Sequence, residues 1–211
     1  MTPLERLALL FEKFPGIGPR QAQRFVYHLL TQDREYTDAL STLIRDVRTT
    51  MRECQLCFRF FAPRNGEMLC PICSNTERDA SLLMIVERDS DIAPLERSKM
   101  YNGLYFVLGG TIPLLDQHHT NKTRGPALRA IVEKKIAEGL TEVILAFSVN
   151  PDGENTARYV EAQLAPFQES SNLTVSILGR GLSTGSELEY ADGETIKNAL
   201  QNRQKNRHDP S

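Results

Sequence analysis

CQLCFRFFAPRNGEMLCPIC, residues 54–73, contains all four cysteines of the 211-residue chain, arranged as two C-x2-C pairs separated by twelve residues. Each pair can hold a metal ion from a tight turn, and two such pairs complete a tetrahedral thiolate shell. The stretch therefore predicts one structural zinc ion. Its expected ligands are Cys54, Cys57, Cys70 and Cys73. Because four thiolates leave no open coordination position, this zinc would stabilise structure and would not activate water.

Three alternatives to zinc remain for these cysteines: two disulfides, free cysteines in a core, and iron in the same thiolate cage. The first six residues contain both acidic and basic side chains, and no continuous apolar segment of the kind that a signal peptide needs follows them. We therefore expect no export, which disfavours disulfides. The four histidines, His28, His118, His119 and His208, lie outside the segment. We expect the His118-His119 pair to lie in a solvated loop.

The residues before Cys54 follow helical patterns. Thr2, Pro3 and Glu5 predict a capped helix start, and the helix is expected to run to about Lys13. Two further apolar stripes at helical spacing follow a glycine- and proline-rich break. They are Ala22, Phe25, Val26, Leu29, Leu30 and then Tyr36, Leu40, Leu43, Ile44, Val47, Met51. The N-terminal quarter is therefore predicted to be all helical.

The break itself, Pro15-Gly16-Ile17-Gly18-Pro19, predicts a tight turn whose glycines allow a ligand to approach the backbone closely. The free N–H groups of the following helix suit a phosphate. Arg20 and Arg24 are four residues apart and lie on one face of that helix, so they can flank the anion. The alternative is an ordinary turn between helices with solvated arginines. Contacts of this kind would bind DNA backbone phosphates without sequence preference and would weaken with salt.

After Cys73 the pattern changes to short apolar runs that alternate with helical patterns. The runs are 82–86, 105–108, 143–147 and 174–178, and the helical patterns are about 92–99, 127–137 and 156–164. Such alternation favours an α/β domain with a mainly parallel sheet. The polar sequence from Gln201 onward has little to bury, so we expect a frayed tail.

Three acidic residues follow predicted strands. Glu87 closes the first strand, and Asp152 and Glu154 follow the third strand across a predicted Pro151–Glu154 turn. Because the carboxyl ends of parallel strands share one edge, these carboxylates could converge there and bind Mg²⁺. The alternative is that they are ordinary loop acids. No base or nucleophile can be assigned that would favour catalysis.

The composition is typical of a globular protein, with 40% hydrophobic and 25% charged residues. A net charge of −2 gives no long-range attraction to nucleic acid, so DNA binding requires a local basic patch. The longest apolar runs are far shorter than the roughly 20 residues that span a bilayer. We therefore expect a cytoplasmic protein with no membrane association.

Three motifs in order resemble the RecR family of bacterial recombination mediators. They are FPGIGPRQAQR at 14–24, the cysteine segment running into Arg78-Asp79, and segment 181–192 with Leu188-Glu189-Tyr190-Ala191-Asp192. The resemblance extends from Leu4 to about Arg203. It implies a mixed α/β chain made of a helix-hairpin-helix DNA-binding module (1–53), a four-cysteine zinc finger (54–77), a Toprim-like domain (78–178) and a C-terminal segment that packs on a neighbouring subunit (179–211).

The same resemblance implies a function. Members of the family work with RecO, and in some settings RecF, to place RecA on single-stranded DNA coated by single-strand-binding protein. They form ring-like homo-oligomers, here a dimer or a tetramer, that can clamp single- or double-stranded DNA, and they are bacterial and nucleoid-associated. Arg20 and Arg24, with Gly16 and Gly18, match the DNA-contacting hairpin. Glu87, Asp152 and Glu154 match Toprim acids that contact RecO or a divalent ion.

The sequence also departs from the family pattern. Relatives usually have a glutamate-containing Toprim motif where this chain has Asn150-Pro151-Asp152-Gly153-Glu154, so the first acid is shortened. The loop 117–125, with His118-His119 and Lys122, also differs from the usual connection. Two rival functions remain: a Mg²⁺-dependent Toprim nuclease that uses Glu87, Asp152 and Glu154, and a zinc-stabilised scaffold with no DNA role.

Overall fold

The computed structural model describes residues 1–114, 123–179, 181–182, 185 and 187–203. The chain forms two compact units, Met1–Arg52 and Glu53–Ser211. The His118-His119 pair, Lys122 and the tail beyond Arg203 lie outside the described residues. Within the described parts, no helix combines the length and the apolar character that a bilayer crossing requires.

The first unit consists of three helices. They are α1 (Pro3–Phe11), α2 (Pro19–Thr31) and α3 (Arg34–Thr50). The predicted capping box is present, because Thr2 Oγ1 accepts from the Glu5 amide at 3.3 Å and the Glu5 carboxylate accepts from the Thr2 amide at 2.8 Å. Ala8 of α1 and Ala22 and Val26 of α2 are buried. The prediction that this part of the chain is helical is confirmed.

Two short strands pair with each other near the start of the second unit: β1 (Arg52–Glu53), directly before the cysteine segment, and β2 (Phe60–Phe61), within it. A four-stranded sheet follows, whose strands occur in the spatial order β4-β3-β5-β6. They are β3 (Asp79–Val86), β4 (Gly103–Val107), β5 (Glu142–Ala146) and β6 (Thr174–Ile177). All three strand pairings are parallel. The predicted parallel α/β domain is therefore confirmed.

A helix follows each strand of this sheet along the chain. These helices are α4 (Ile92–Ser98), preceded by a 3-10 turn at Asp89–Asp91, then α5 (Gly125–Ala137), α6 (Pro151–Ser170) and α7 (Gly193–Gln201), preceded by a 3-10 turn at Leu188–Tyr190. Side chains of successive strand residues alternate between two apolar clusters. One cluster packs Ile85, Phe106 and Leu145 against α5 and α6. The other packs Met84, Val86, Tyr105 and Val107 against the cysteine segment and Ile92.

The segment Pro151–Glu154, predicted as a turn, is instead the first turn of α6, so that prediction was wrong. Asn150 caps the helix, because its side-chain oxygen accepts from the Gly153 amide at 2.8 Å. Pro151 occupies the first helical position, where its missing N–H and its fixed φ favour a helix start. Acidic residues in the first turn also suit the positive end of the helix dipole. Asn150, Pro151 and the acidic residues are therefore helix-start signals, although asparagine and proline are also common in turns.

Candidate metal centre and nucleic-acid interface

The four cysteines lie together as predicted. One ligand atom from each lies within 4.8 Å of the others, and three of the four side chains are buried. Among the described residues, this is the one cluster of three or more histidine, cysteine or acidic side chains with such geometry. Hydrogen bonds from the Cys70 amide to the Cys54 sulfur and from the Gln55 amide to the Met68 carbonyl oxygen connect the two pairs.

The sulfur geometry fits a metal ion. Four sulfurs bound at about 2.3 Å around a tetrahedral zinc ion are roughly 3.8 Å apart, and the Cys57 and Cys70 sulfurs are 3.6 Å apart. All four cysteines are free, not disulfide-bonded. The Cys70 amide donates to the Cys54 sulfur at 3.3 Å, which stabilises negative charge on that sulfur. The cluster can therefore hold a metal ion with a closed thiolate shell.

The thiols influence each other's protonation. Contact with the Cys57 side chain lowers the pKa of Cys54 far below its usual range, whereas contact with the Cys54 side chain raises the pKa of Cys57. The two thiols therefore do not titrate independently of each other. A metal cation bound by all four sulfurs would take the place of the thiol protons and would stabilise every sulfur as a thiolate.

The cysteine segment is packed onto the sheet. The Val107 amide on edge strand β4 donates to the Cys57 carbonyl oxygen at 2.8 Å. Cys54, Cys57 and Cys70 belong to the same apolar cluster as strand residues of β3 and β4. Phe58, directly after the first pair, has a φ of 60°, and its amide donates to the Cys54 carbonyl oxygen at 3.0 Å. The metal ligands are therefore continuous with the core of the second unit.

The glycine turn of the first unit has the features of a type II β-turn. The Ile17 amide donates to the Phe14 carbonyl oxygen at 3.1 Å, Pro15 is the second residue, and Gly16 is the third with a φ of 76°. Only glycine adopts this backbone conformation without strain. The sequence prediction of a tight turn before α2 is met by this geometry.

The start of α2 is open to solvent. Gly18 occupies the N-cap position, and no side chain of the described residues caps this helix. The first amides of a helix have no intrahelical acceptor, so they point outward with the positive end of the helix dipole. Arg20 and Arg24 are both exposed, and Arg24 also donates to Gln21 at 3.4 Å. The exposed amides and the two exposed arginines together make the N-terminal part of α2 a basic surface that can attract an anion.

The three acids near the strand ends have separate partners. Glu87 is buried, and its Oε1 accepts from the Ser148 amide at 2.6 Å, which links the ends of β3 and β5. Asp152 Oδ1 accepts from the Leu114 amide at 3.0 Å. Glu154 is half-buried in the same helical turn. Among the described residues, the three acids do not form a cluster with metal-binding distances.

Several residues at this edge were missed by the sequence analysis. Thr156 is fully buried, and its hydroxyl accepts from the Ile112 amide at 2.8 Å, while the Asn155 side-chain amide donates to the Ile112 carbonyl oxygen at 3.0 Å. Together with Asp152, they hold the chain that follows β4 against α6. Their side chains have no local motif, so only their helical spacing at one end of α6 could have drawn attention to them.

Comparisons with known families cover most of the chain. Residues 4–48 match the family described as "RecR, helix-hairpin-helix", residues 81–178 match "Toprim domain", and residues 181–204 match "RecR, C-terminal". The three matches occur in the order that the sequence motifs predict.

Similarity to curated proteins extends over nearly the whole chain and agrees with the family matches. The chain is 36% identical over 204 residues to "Recombination protein RecR" of Cutibacterium acnes, covering 95% of this chain and 94% of the relative. It is 37% identical over 206 residues to the protein of the same name from Prochlorococcus marinus strain MIT 9312, covering 96% of both chains. For the protein of that name from Synechococcus sp. strain CC9311, identity is 39% over 196 residues, covering 92% of this chain and 96% of the relative. The chain belongs to the RecR family.

Proposed function

We propose that this protein is a non-enzymatic mediator of DNA recombination and repair, which binds DNA and acts with RecO-like and RecF-like proteins to help load RecA on single-stranded DNA. The observation that carries the proposal is the nearly full-length similarity to proteins named as recombination proteins. All three RecR and Toprim family matches lie in one chain.

DNA would bind at the start of α2. Exposed amides at the helix N-terminus, the open glycine turn and the paired cations of Arg20 and Arg24 provide donors for backbone phosphates. A Cβ added at Gly16 or Gly18 would meet no atom within 4 Å, so this surface leaves room for a ligand. Since such contacts recognise phosphates and not bases, single- and double-stranded DNA would both bind without sequence preference.

A salt titration tests this assignment. The double variant Arg20→Ala/Arg24→Ala should lose most DNA binding at low salt. For single strands, its plot of log affinity against log salt should be less steep than that of wild type, with the negative slope reduced in magnitude by about 1.4. Arg6→Ala/Arg45→Ala, which removes two cations from other helices of the same unit, is the matched control. If the first variant bound DNA as tightly as the control, a different surface or a scaffold without a DNA role would be favoured.

The other assignments follow from the same family membership. The four-cysteine cluster would hold structural zinc, and the carboxyl edge with Glu87, Asp152 and Glu154 would contact a RecO-like partner, a divalent ion such as Mg²⁺, or both. The C-terminal segment from residue 179 would pack on a neighbouring subunit to form a dimer or tetrameric ring in the bacterial cytoplasm, at the nucleoid. Light scattering of the purified protein measures the subunit number.

A Mg²⁺-dependent nuclease is the alternative, since the chain contains a Toprim domain. The non-enzymatic assignment is supported by the relatives, which are named recombination proteins and not nucleases. Incubating the protein with Mg²⁺ and labelled DNA distinguishes the two functions. Cleavage that disappears in an Asp152→Asn variant would contradict the mediator assignment.

A further inference from the structure

The Arg124 side chain spans the cysteine segment and the end of β4. One guanidinium nitrogen donates to Glu53 Oε1 at 2.5 Å, and another donates to the Val107 carbonyl oxygen at 3.1 Å. The guanidinium carbon lies 5.2 Å from the centre of the Phe58 ring, which is within cation–π range. The Arg124 side chain is 25% exposed. It is therefore a half-buried connector and not a solvated surface cation.

Two of the side chains that Arg124 contacts are sequence neighbours of the proposed metal ligands. Glu53 directly precedes Cys54, and Phe58 directly follows Cys57. Phe58 has a left-handed backbone, and its amide closes the Cys54–Cys57 turn by donating to the Cys54 carbonyl oxygen. When a metal ion fixes this turn, it also fixes the carboxylate and the ring that Arg124 contacts.

The backbone of Arg124 lies at the carboxyl edge of the sheet. Its amide donates to the Leu108 carbonyl oxygen at 2.9 Å, and its carbonyl oxygen accepts from Leu128 in the first turn of α5 at 2.8 Å. Its guanidinium also closes over Gly109, where an added Cβ would meet a guanidinium nitrogen at 2.9 Å. The Gly109 amide donates in turn to the Glu87 carbonyl oxygen at 3.0 Å. One residue thus connects the cysteine segment to the chain beside Glu87.

We propose that Arg124 is a positioning residue that couples metal binding at the four cysteines to the order of the carboxyl edge at 108–112. The inference rests on the proposed metal centre and adds the route by which the metal acts at a distance. A planar guanidinium suits this role because it donates to a carboxylate and a carbonyl at once while stacking on a ring, which a lysine ammonium cannot reproduce. Coupling is reciprocal, so Arg124 must also influence metal affinity.

Amide hydrogen exchange of the full chain, with zinc bound and after chelation, tests the coupling. The Gly109 and Ile112 amides are the reporters, because they bond Glu87 and Thr156 and no residue of the cysteine segment. In the wild-type protein, zinc removal should speed their exchange about tenfold. In Arg124→Met, their exchange should already be fast with zinc bound and should change little on chelation.

Two internal controls accompany this measurement. The Val107 amide bonds Cys57 directly, so it should respond to zinc removal in both proteins. Arg129→Met removes an exposed arginine from α5, the helix that Arg124 precedes, and should behave as wild type. Arg124→Lys keeps the charge and should restore part of the protection. If Arg124→Met does not fold, Glu53→Gln removes the same ion pair from the other side.

Measurements of zinc content and zinc affinity distinguish failure of the metal centre from failure of the coupling through Arg124. Arg124→Met should bind zinc about tenfold more weakly than Arg129→Met in a chelator competition. If zinc binds stoichiometrically but Arg124→Met changes neither affinity nor the reporter amides, the coupling is refuted and the metal centre stands. If the wild-type protein binds no zinc, both the zinc centre and the coupling are refuted.

Discussion

Gly153 lies in the first turn of α6, where the backbone of the preceding segment leaves no space for a side chain. A Cβ built there would lie 2.0 Å from the Ser148 carbonyl oxygen and 2.9 Å from the carbonyl carbon. The amide of Ser148 donates to Glu87, so this close packing positions the buried carboxylate at the sheet edge. Gly153, which the sequence predicts in a turn, is therefore needed for the close packing of Ser148 beside the candidate partner site.

Gly153→Ala should displace the Ser148 peptide, weaken its bond to Glu87 and lower the free energy of unfolding by about 1–3 kcal/mol. Urea unfolding measures this change. Gly193→Ala, in the first turn of α7 where an added Cβ meets nothing within 4 Å, is the matched control and should be nearly neutral. Equal stability of the two variants would show that the edge tolerates a shift at Ser148.

Residues whose role is set by neighbours in sequence could be predicted. The cysteine spacing, the Thr2–Glu5 capping box and the glycine turn are local patterns, and each has the expected geometry. Gly153 and Arg124 could not be found in this way. The constraint on Gly153 is contact with the nearby Ser148 backbone, which no side-chain pattern shows, and Arg124 contacts Glu53, 71 residues away in sequence. No periodicity or motif records such contacts.

Between elements, a polar network connects the exit of the cysteine segment to α4 and β4. The Arg78 guanidinium forms an ion pair with Glu96 and also donates to the Gly103 carbonyl oxygen at 3.2 Å. The Tyr105 hydroxyl donates to Glu96 at 2.7 Å. Burial on its own would raise the pKa of Glu96, but the hydrogen bonds from Arg78 and Tyr105 outweigh it and lower the pKa below the ordinary value of 4.5. The network therefore stabilises the ionised carboxylate.

The lowered pKa of Glu96 determines how its contribution to the free energy of unfolding depends on pH. Because the folded state holds Glu96 ionised more tightly than the unfolded state does, its contribution is fully present above about pH 4.5 and is lost as pH falls through the lower folded pKa. Glu96→Gln should therefore destabilise the protein by about 2 kcal/mol at neutral pH, and the difference from wild type should shrink in acid.

Denaturant unfolding of both proteins from pH 7 to pH 3 measures that difference. Acid also releases a thiolate-bound metal from both proteins, so only the difference between them reports on Glu96. The exposed Glu133 of α5 provides a control, since Glu133→Gln should stay within about 0.5 kcal/mol of wild type. A Glu96→Gln deficit that stayed constant down to pH 3 would contradict the role given to ionisation.

At the level of elements, the sequence predicted where each strand of the sheet lies to within a few residues, because buried parallel strands are continuous apolar runs. The start of α6 was misplaced. Asn150 and Pro151 are also common in turns, and the local sequence alone does not distinguish a turn from a capped helix. The observed cap, in which Asn150 accepts from Gly153, resolves the ambiguity.

For the molecule as a whole, the candidate metal centre is part of a core. The cysteines share an apolar cluster with Met84, Val86, Tyr105 and Val107 of the sheet, so a metal ion bound there would stabilise more than a surface loop. Chelating the metal, or replacing Cys70 with serine, should lower the melting temperature by more than about 10 °C. Thermal unfolding and light scattering measure stability and assembly together. Unchanged values in both would refute the structural role of the metal.

The order of the parts along the chain could be predicted from the sequence, and the family matches follow that order. The finer division at residues 53, 77 and 178 stays a prediction. In the structure the cysteine segment shares its apolar cluster with the sheet, and both belong to the unit Glu53–Ser211. Spacing identifies a metal-binding segment but does not show which apolar face that segment covers.

The central claim, that the protein loads RecA through DNA held at the start of α2, is tested most directly by RecA assembly. RecA filament formation is followed on single-stranded DNA coated by single-strand-binding protein, with the cognate RecO-like partner present. Wild type and Arg6→Ala/Arg45→Ala should accelerate assembly, and Arg20→Ala/Arg24→Ala should not. If wild type gave no acceleration, or if Arg20→Ala/Arg24→Ala matched the control, the claim would be contradicted.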